Sequence, residues 1–258
     1  MENFCLFTHE SGSEKERTIL FLHAGGLSGQ SWLPVMERLP EFHCLAPDLP
    51  GQGRSRAIPF SIQTCVDSCA RLIRERVPDQ KVHLAALSLS GPVAFSLLRE
   101  HPDLVDHVLI SGCSGQIPAW QTRLAQSSLW TYRLFKPHTL VEMTLKQQGI
   151  PAQYRELVAD DLACATDEAF MRPMLEELSR WQLPESIRQP LLLVVGEREP
   201  RAARSFTRRY LQEFSTARGL LALNMRHAWS LEKPELFAAL LRAWVSDSPL
   251  PEGFRPFV

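Results

Sequence analysis

The sequence has no excess of charge of either sign. It carries 28 Lys and Arg residues against 29 Asp and Glu residues, so its formal net charge is −1 over 258 residues. Proteins that bind nucleic acid or anionic membrane surfaces usually carry a basic excess. We therefore expect neither nucleic acid nor a membrane among the partners of this protein.

Long hydrophobic runs are also absent. No apolar stretch of the sequence approaches the ~20 residues that a membrane-spanning helix needs. The first residues, MENFCLFTHESGSEKER, lack the basic start and the apolar segment of a secretory signal. These features predict a cytoplasmic location.

Cysteine motifs are missing as well. The six cysteines are scattered and form no C-x-x-C pair. Cys65 and Cys69 are four residues apart, but no further ligand lies near them in the sequence, so we expect no metal site. We interpret the cysteines as buried thiols in a reducing compartment.

Glycine-rich phosphate motifs do not occur. The sequence has no G-x-x-x-x-G-K-[S/T] and no G-x-G-x-x-G after a strand, which excludes the common nucleotide-binding loops. We therefore predict that the protein uses no organic cofactor, in addition to no metal.

Short apolar segments alternate with helical ones along most of the chain. Nearly continuous apolar strands separated by helices are typical of a parallel sheet that helices cover on both faces. The predicted strands are 18–23, 43–48, 81–87, 105–111, 190–196 and 219–224. Helices are predicted over 62–76, from residue 88 to about 101, over 201–214 and from 234 through 244.

This alternation stops in the middle of the chain. Residues 115–183 contain helix-forming residues and three tryptophans but no convincing strand. Ligands of parallel sheets bind beyond the carboxyl ends of the strands, and an insertion that leaves from such an end would cover that site. We predict a core domain formed by 1–114 and 184–258 and a helical cap, or lid, formed by 115–183.

Residues with catalytic side chains follow several predicted strands. The stretch LAALSLSGPVAF turns from strand to helix at Ser88 and Ser90. Glu197 and Glu199 follow the fifth strand, and His227 follows the sixth. The chain order serine, acid, histidine is the order found in α/β-hydrolases.

Three further segments strengthen this similarity. FLHAGGLSGQSW resembles a His-Gly loop, DLPGQGRS resembles a D-x-x-G-x-G-x-S segment, and HAWSLEKPELF resembles a terminal histidine segment. Together with the serine turn, they make nearly the whole chain similar to α/β-hydrolase-fold serine hydrolases of the esterase and lipase type. The resemblance implies an α/β fold with a mostly parallel central sheet, helices on both faces and a helical cap.

The resemblance also implies roles for single residues. Ser88 would be the nucleophile and Ser90 a small neighbour, although Ala86 and Ser90 stand where the family usually has glycine. His227 would be the general base and Glu199 the acid that orients it, with Glu197 as the alternative acid.

Two backbone N–H groups would form the oxyanion hole. Leu89 lies at the N-terminus of the helix after the serine, where negative charge is favoured. Gly25, two residues after His23, would supply the second N–H by resemblance, and His23 would support this loop.

The expected substrate is a small molecule. We predict an apolar pocket and therefore a small to medium, largely apolar carboxylic ester, cleaved through an acyl-enzyme. Thioester, lactone, amide or C–C hydrolysis, or a ligand-binding or signalling module with slow or no turnover, remain alternatives. The natural substrate and the oligomeric state stay open. The candidate pocket residues are Ala24, Trp32, Cys113, Trp120, Trp130 and Trp229.

Overall fold

An eight-stranded sheet forms the centre of the computed structural model, which describes residues 5–113, 115–164 and 167–258. The strands lie in the order β1-β3-β2-β4-β5-β6-β7-β8. They are β1 (Thr8–Ser11), β2 (Thr18–Leu22), β3 (His43–Pro47), β4 (Val82–Leu87), β5 (Val105–Ser111), β6 (Leu191–Gly196), β7 (Ala217–Ala222) and β8 (Phe254–Pro256).

The six inner strands are parallel, and the two edge strands are antiparallel to their neighbours. The inner strands are those that the sequence predicts, with ends that differ by at most two residues. Strands β2, β3, β4 and β6 are buried at every position, which agrees with a sheet covered on both faces. The predicted α/β-hydrolase fold with a mostly parallel sheet is confirmed.

Two clusters of buried apolar side chains lie on the two faces of this sheet. Helices α2 (Ile62–Arg76) and α3 (Ser90–Glu100) pack on one face, and helix α10 (Pro234–Val245) packs on the other. The helices outside the segment between β5 and β6 are α1 (Leu33–Met36), α2 (Ile62–Arg76), α3 (Ser90–Glu100), α8 (Arg201–Glu213), α9 (Trp229–Glu232) and α10 (Pro234–Val245). Short 3₁₀ helices occupy Gly29–Trp32 and Gly53–Ser55.

The segment between β5 and β6 contains helices and no strand among its described residues. Residue 114, where the predicted core boundary falls, and residues 165–166 inside the predicted cap lie outside the described part of the chain. The helices are α4 (Ala119–Ser128), α5 (Pro137–Gln148), α6 (Arg155–Cys164) and α7 (Glu168–Arg180), with 3₁₀ turns at Leu129–Leu134 and Ala152–Tyr154.

Several contacts join this helical segment to loops at the carboxyl ends of the strands. Asp161 on α6 accepts a hydrogen bond from Ser28, which follows β2. Glu177 on α7 accepts a hydrogen bond from the backbone N–H of Ile62 at 2.8 Å. In the described part of the chain, every helix is too short or too polar to cross a lipid bilayer.

Candidate active site

A sharp turn joins strand β4 to helix α3 at Ser88. The backbone of Ser88 has a φ of +59°, which is unusual for a residue other than glycine. Its N–H donates to the carbonyl of Ser111 at 2.9 Å, and its own carbonyl accepts from the N–H of Gly91 at 3.0 Å. These two bonds hold the strained turn between the sheet and the first turn of the helix.

The second serine of this turn has a different environment. Ser90 is fully buried, and its hydroxyl donates to the carbonyl oxygen of His23. This bond ties the start of α3 to the loop after β2. Ser88 is only half-buried, so its side chain is the more accessible of the two.

A buried acid and a histidine form a close pair. Nδ1 of His227 donates to Oε2 of Glu199 at 2.7 Å. The other carboxylate oxygen of Glu199, Oε1, accepts from the N–H of Gly196 at 2.9 Å, and the residue is 3% exposed. Both oxygens of the acid are therefore satisfied, and Nε2 of His227 is left for proton transfer.

The alternative acid, Glu197, makes other contacts. Its Oε2 accepts from the N–H of Asn224 at 2.9 Å, and its Oε1 accepts from Arg255 at 3.3 Å. Glu197 thus joins the loops after β6 and β7 to the edge strand. Of the two glutamates, Glu199 is the one that the structure pairs with His227.

Gly112 links the histidine pair to the serine turn. It directly follows Ser111, whose carbonyl holds Ser88, and its φ is +55°. A Cβ atom at Gly112 would lie 2.8 Å from Nδ1 and Cε1 of His227 and 3.1 Å from Oε2 of Glu199. The imidazole therefore lies directly on the backbone next to the residue that anchors Ser88. The only sequence signal for this role is a glycine immediately after a buried strand.

The two predicted oxyanion residues lie in contact. A Cβ atom at Gly25 would lie 2.9 Å from Cδ2 of Leu89, so the loop after β2 packs directly on the start of α3. Leu89 is the N-cap residue of that helix. The backbone N–H groups of a helix start carry partial positive charge, which suits an oxyanion.

Two buried polar side chains hold the loop after β2. Nε2 of His23 accepts from the N–H of Leu49 at 3.0 Å, and its Nδ1 donates to the carbonyl of Ala24 at 2.9 Å. Burial lowers the pKa of His23, so its imidazole is neutral. Oε1 of Gln52 accepts from the N–H of Gly26 at 2.7 Å. The sequence did not indicate this role of Gln52.

Two of the candidate pocket residues belong to the hydrophobic core instead. Trp32 is 1% exposed, and its ring packs against Phe21 and Phe237. Trp229 is fully buried, packs against Phe237 and donates from Nε1 to Oγ of Ser111 at 2.7 Å. The prediction that these tryptophans line a substrate pocket is corrected, because they fill the space between the sheet and its helices.

The other candidates have varied surroundings. Trp120 and Trp130 of the helical segment are 65% and 59% exposed, and their assignment to the substrate pocket stays a prediction. Cys113 is buried against Gly91, where a Cβ atom would lie 2.1 Å from its sulfur, and burial raises the pKa of its thiol. Ala24 is buried in the loop after β2. None of the six lines the cavity that lies beside this loop.

That cavity has a volume of about 390 Å³, and its lining is about equally polar and apolar. It lies between the loops after β2 and β3 and helices α6 and α7. Burial raises the pKa of Asp161, one of its lining residues. The lining residues are His9, Gly26, Leu27, Ser28, Gln30, Asp48, Gly51, Gln52, Gly53, Arg54, Arg56, Asp160, Asp161 and Phe170.

Two groups of described side chains have the donor atoms of a metal site. The first consists of Asp67, Glu100 and His101 at helices α2 and α3. The second consists of His83, Asp106 and His107. A nitrogen of His83, a nitrogen of His107 and an oxygen of Asp106 lie within 4.8 Å of one another, near the amino ends of β4 and β5. Arg17 lies 3.4 Å from Nε2 of His83 and can only donate. The neutral imidazole then carries its proton on Nδ1, which lies 3.7 Å from Oδ2 of Asp106.

Comparisons with known proteins agree with this architecture. The sequence pattern described as "Alpha/beta hydrolase family" matches residues 19–240. An "AB hydrolase superfamily protein" of Gibberella zeae is 26% identical over 257 residues, which cover 96% of this chain and 85% of that protein.

Two esterases are also similar to this chain. The pimeloyl-[acyl-carrier protein] methyl ester esterase of Vibrio vulnificus is 29% identical over 147 residues, which cover 54% of this chain and 56% of that enzyme. The structure of a thermophilic esterase from Thermogutta terrifontis superposes with a TM-score of 0.80 at 19% identity, covering 94% of this chain and 93% of the esterase.

Proposed function

The chain belongs to the alpha/beta hydrolase family, and from this premise we propose that it is a serine hydrolase that cleaves carboxylic esters through an acyl-enzyme. The observation that carries the proposal is the His227–Glu199 pair, which rests on Gly112 beside the anchor of Ser88. A buried acid, a half-buried histidine and a serine on a strained turn are the three groups that acyl transfer by serine requires.

Each group has a defined role in the proposed mechanism. Oγ of Ser88 attacks the ester carbonyl while Nε2 of His227 takes its proton. His227 then gives this proton to the leaving alcohol, and the acyl group stays on Ser88. Water, activated by His227, hydrolyses the acyl-enzyme and restores the serine. Glu199 holds the imidazole and stabilises its protonated form.

Negative charge develops on the carbonyl oxygen during attack. The backbone N–H groups of Leu89 and Gly25 are the proposed donors to this oxyanion. The close packing of Gly25 on Leu89 supports a shared position for the two donors. Such preorganised donors are worth about 10²–10³-fold in turnover.

We propose that the helical segment 115–183 acts as the cap over this site. Its contacts with Ser28 and Ile62 support a position above the carboxyl ends of the strands. The methyl ester esterase among the relatives supports an ester substrate. The predicted preference for a small to medium, largely apolar ester remains a proposal, and the mixed polar and apolar lining of the cavity beside the loop after β2 does not decide it.

The test is hydrolysis of p-nitrophenyl butanoate by the purified protein and by single variants. Ser88→Ala and His227→Ala should each lower kcat by several orders of magnitude, up to about 10⁶-fold. Glu199→Gln should lower it by about 10⁴-fold, because the imidazole loses its orienting anion. Glu197→Gln is the matched control and should leave kcat within about threefold of the parent.

Three results would contradict the proposal or one of its assignments. Hydrolysis that persists in Ser88→Ala would show that another group is the nucleophile. Greater damage from Glu197→Gln than from Glu199→Gln would assign the role of the acid to Glu197. A parent protein that binds esters without hydrolysing them would instead indicate the ligand-binding alternative.

A further inference from the structure

The cavity beside the loop after β2 is lined by the buried side-chain amide of Gln52, whose oxygen has a hydrogen-bond partner and whose nitrogen has none among the described residues. Gln52 is 5% exposed and lines this cavity. Its Oε1 accepts from the N–H of Gly26 at 2.7 Å, which fixes the orientation of the amide. Nε2 has no hydrogen-bond partner among the described residues. Buried donors normally have an acceptor, so this amide offers a donor to a molecule in the cavity.

A carboxylate on helix α6 complements this donor. Oδ2 of Asp161 accepts from Oγ of Ser28 at 2.5 Å and from Nε2 of Gln30 at 3.1 Å. Both donors bond to Oδ2, and no described group donates to the second oxygen, Oδ1. Burial raises the pKa of Asp161, so its carboxylate gains from a further donor. The cavity thus offers an acceptor as well as a donor.

The remaining charges of the cavity disfavour an anionic ligand. Asp48 already accepts from two backbone N–H groups at 2.8 and 2.7 Å. The guanidinium of Arg54 stacks on the ring of Phe7, 4.3 Å from its centre. Acidic residues of the lining outnumber its arginines three to two. A cation, in turn, would face the N–H groups of Gln52, so neither sign of charge fits as well as a neutral group.

A hydroxyl group fits both walls, because it accepts one hydrogen bond and donates another. We propose that this cavity is a subsite for a neutral hydroxyl group of the ester substrate, with Nε2 of Gln52 donating to its oxygen and Oδ1 of Asp161 accepting its hydrogen. The inference rests on the proposed function, since Gly26 at the cavity wall directly follows the proposed oxyanion donor Gly25. The substrate class is therefore an ester with a neutral hydroxyl on one of its two chains.

The test compares esters that differ only in a terminal methyl or hydroxyl group. One pair is n-butyl butanoate and hydroxypropyl butanoate, which places the hydroxyl on the alcohol. The other pair is methyl heptanoate and methyl ω-hydroxyhexanoate, which places it on the acid. Because the hydroxyl group lies on only one of the two chains of the substrate, we expect a preference in one of the two pairs. In that pair, kcat/KM should be about tenfold higher for the hydroxyl ester, which corresponds to the free energy of one hydrogen bond to a charged group.

Two variants test the proposed donor, Gln52, and the proposed acceptor, Asp161, separately. Gln52→Glu keeps an oxygen for the N–H of Gly26 but removes the donor, and Asp161→Asn keeps an oxygen for Ser28 but replaces the acceptor. Each should reduce the preference for the hydroxyl ester to about threefold or less. Asp103→Asn, an exposed change in the loop before β5, is the control and should retain the full preference.

Binding is measured as well, so that the result does not depend on turnover. The two esters of each pair compete for the Ser88→Ala protein, and ligand-observed NMR reports which one is bound. Preferential binding of the hydroxyl ester supports the subsite, whether or not the parent protein hydrolyses either ester. Preferential binding without hydrolysis by the parent protein would show that the proposed function fails while the subsite holds. Equal binding and equal kcat/KM within both pairs, or a preference that survives in both Gln52→Glu and Asp161→Asn, would overturn the inference.

Discussion

Replacement of Gly112 by alanine should lower the catalytic rate of this protein strongly and its stability only slightly. A methyl group at this position would lie 2.8 Å from Nδ1 and Cε1 of His227, whereas ordinary contact begins at 3.4 Å. The imidazole must therefore move by about 0.6 Å, since the backbone of Gly112 is held by its N–H bond to the carbonyl of Val194. The same methyl group lies 3.1 Å from Oε2 of Glu199 and also presses on the acid.

Both effects have an estimated size. A displacement of about 1 Å in a catalytic group costs up to about 10²-fold in rate, so Gly112→Ala should lower kcat by about 10- to 100-fold. The positive φ of Gly112 costs an alanine about 1–2 kcal/mol. In a protein of this length, this corresponds to a fall in Tm of about 2–8 °C. The variant should therefore be folded at 25 °C and still be a poor enzyme.

Gly253→Ala is the matched control. Gly253 also has a positive φ, +100°, but an added Cβ would meet only side-chain atoms of Leu236, at 3.4 Å or more. Because +100° lies outside the left-handed region that alanine adopts, this variant should lose at least as much stability from its backbone and still keep its kcat. Thermal unfolding and p-nitrophenyl butanoate hydrolysis are measured on both variants. A Gly112→Ala protein with parental kcat would refute the placement of His227 on this backbone as a catalytic feature.

Three further predictions concern other parts of the molecule. Gly91→Ala should destabilise the protein by about 1–3 kcal/mol, because its Cβ would lie 2.1 Å from the sulfur of Cys113, and Cys113→Ala should restore most of this loss in urea unfolding. Burial, together with Arg17, lowers the pKa of His83 from 6.5 to about 4, so this histidine stabilises the fold above pH 6.5 and loses that contribution as the pH falls towards 4. Urea unfolding should therefore show about 2 kcal/mol less stability from this group at pH 5 than at pH 7, a difference that His83→Gln should remove. Esterase activity should survive exhaustive chelation, since every proposed step uses protein groups; a loss that added Zn²⁺ reverses would contradict this.

The inner part of the fold could be predicted from the sequence because burial leaves a strong pattern. Strands buried on both faces are apolar at nearly every position, and the helix at Ile62–Arg76 matches its predicted range. The edge strands Thr8–Ser11 and Phe254–Pro256 were not predicted. They are short, partly exposed and polar, so neither alternation nor apolar content distinguishes them from loops.

The catalytic candidates could be predicted for a related reason. Ser88, Glu199 and His227 each follow a strand, and strand ends are fixed by local patterns that the sequence displays. Gly112 and Gln52 act through tertiary contacts instead: one lies under an imidazole from a distant loop, and the other holds a backbone N–H of the neighbouring loop. A single sequence shows a glycine or a glutamine at these positions but not what lies against it.

Substrate recognition is harder to predict than catalysis, and the tryptophans show why. Trp32 and Trp229 are apolar residues close to catalytic loops, yet their rings complete the core beneath the sheet rather than line a cavity. The sequence alone does not distinguish a tryptophan that fills the core from one that lines a substrate cavity, because both positions need only a large apolar side chain. A buried polar residue is more informative, since it must have a partner. Nε2 of Gln52 lacks one within the described chain, and for that reason Gln52, rather than the tryptophans, carries the inference about the substrate.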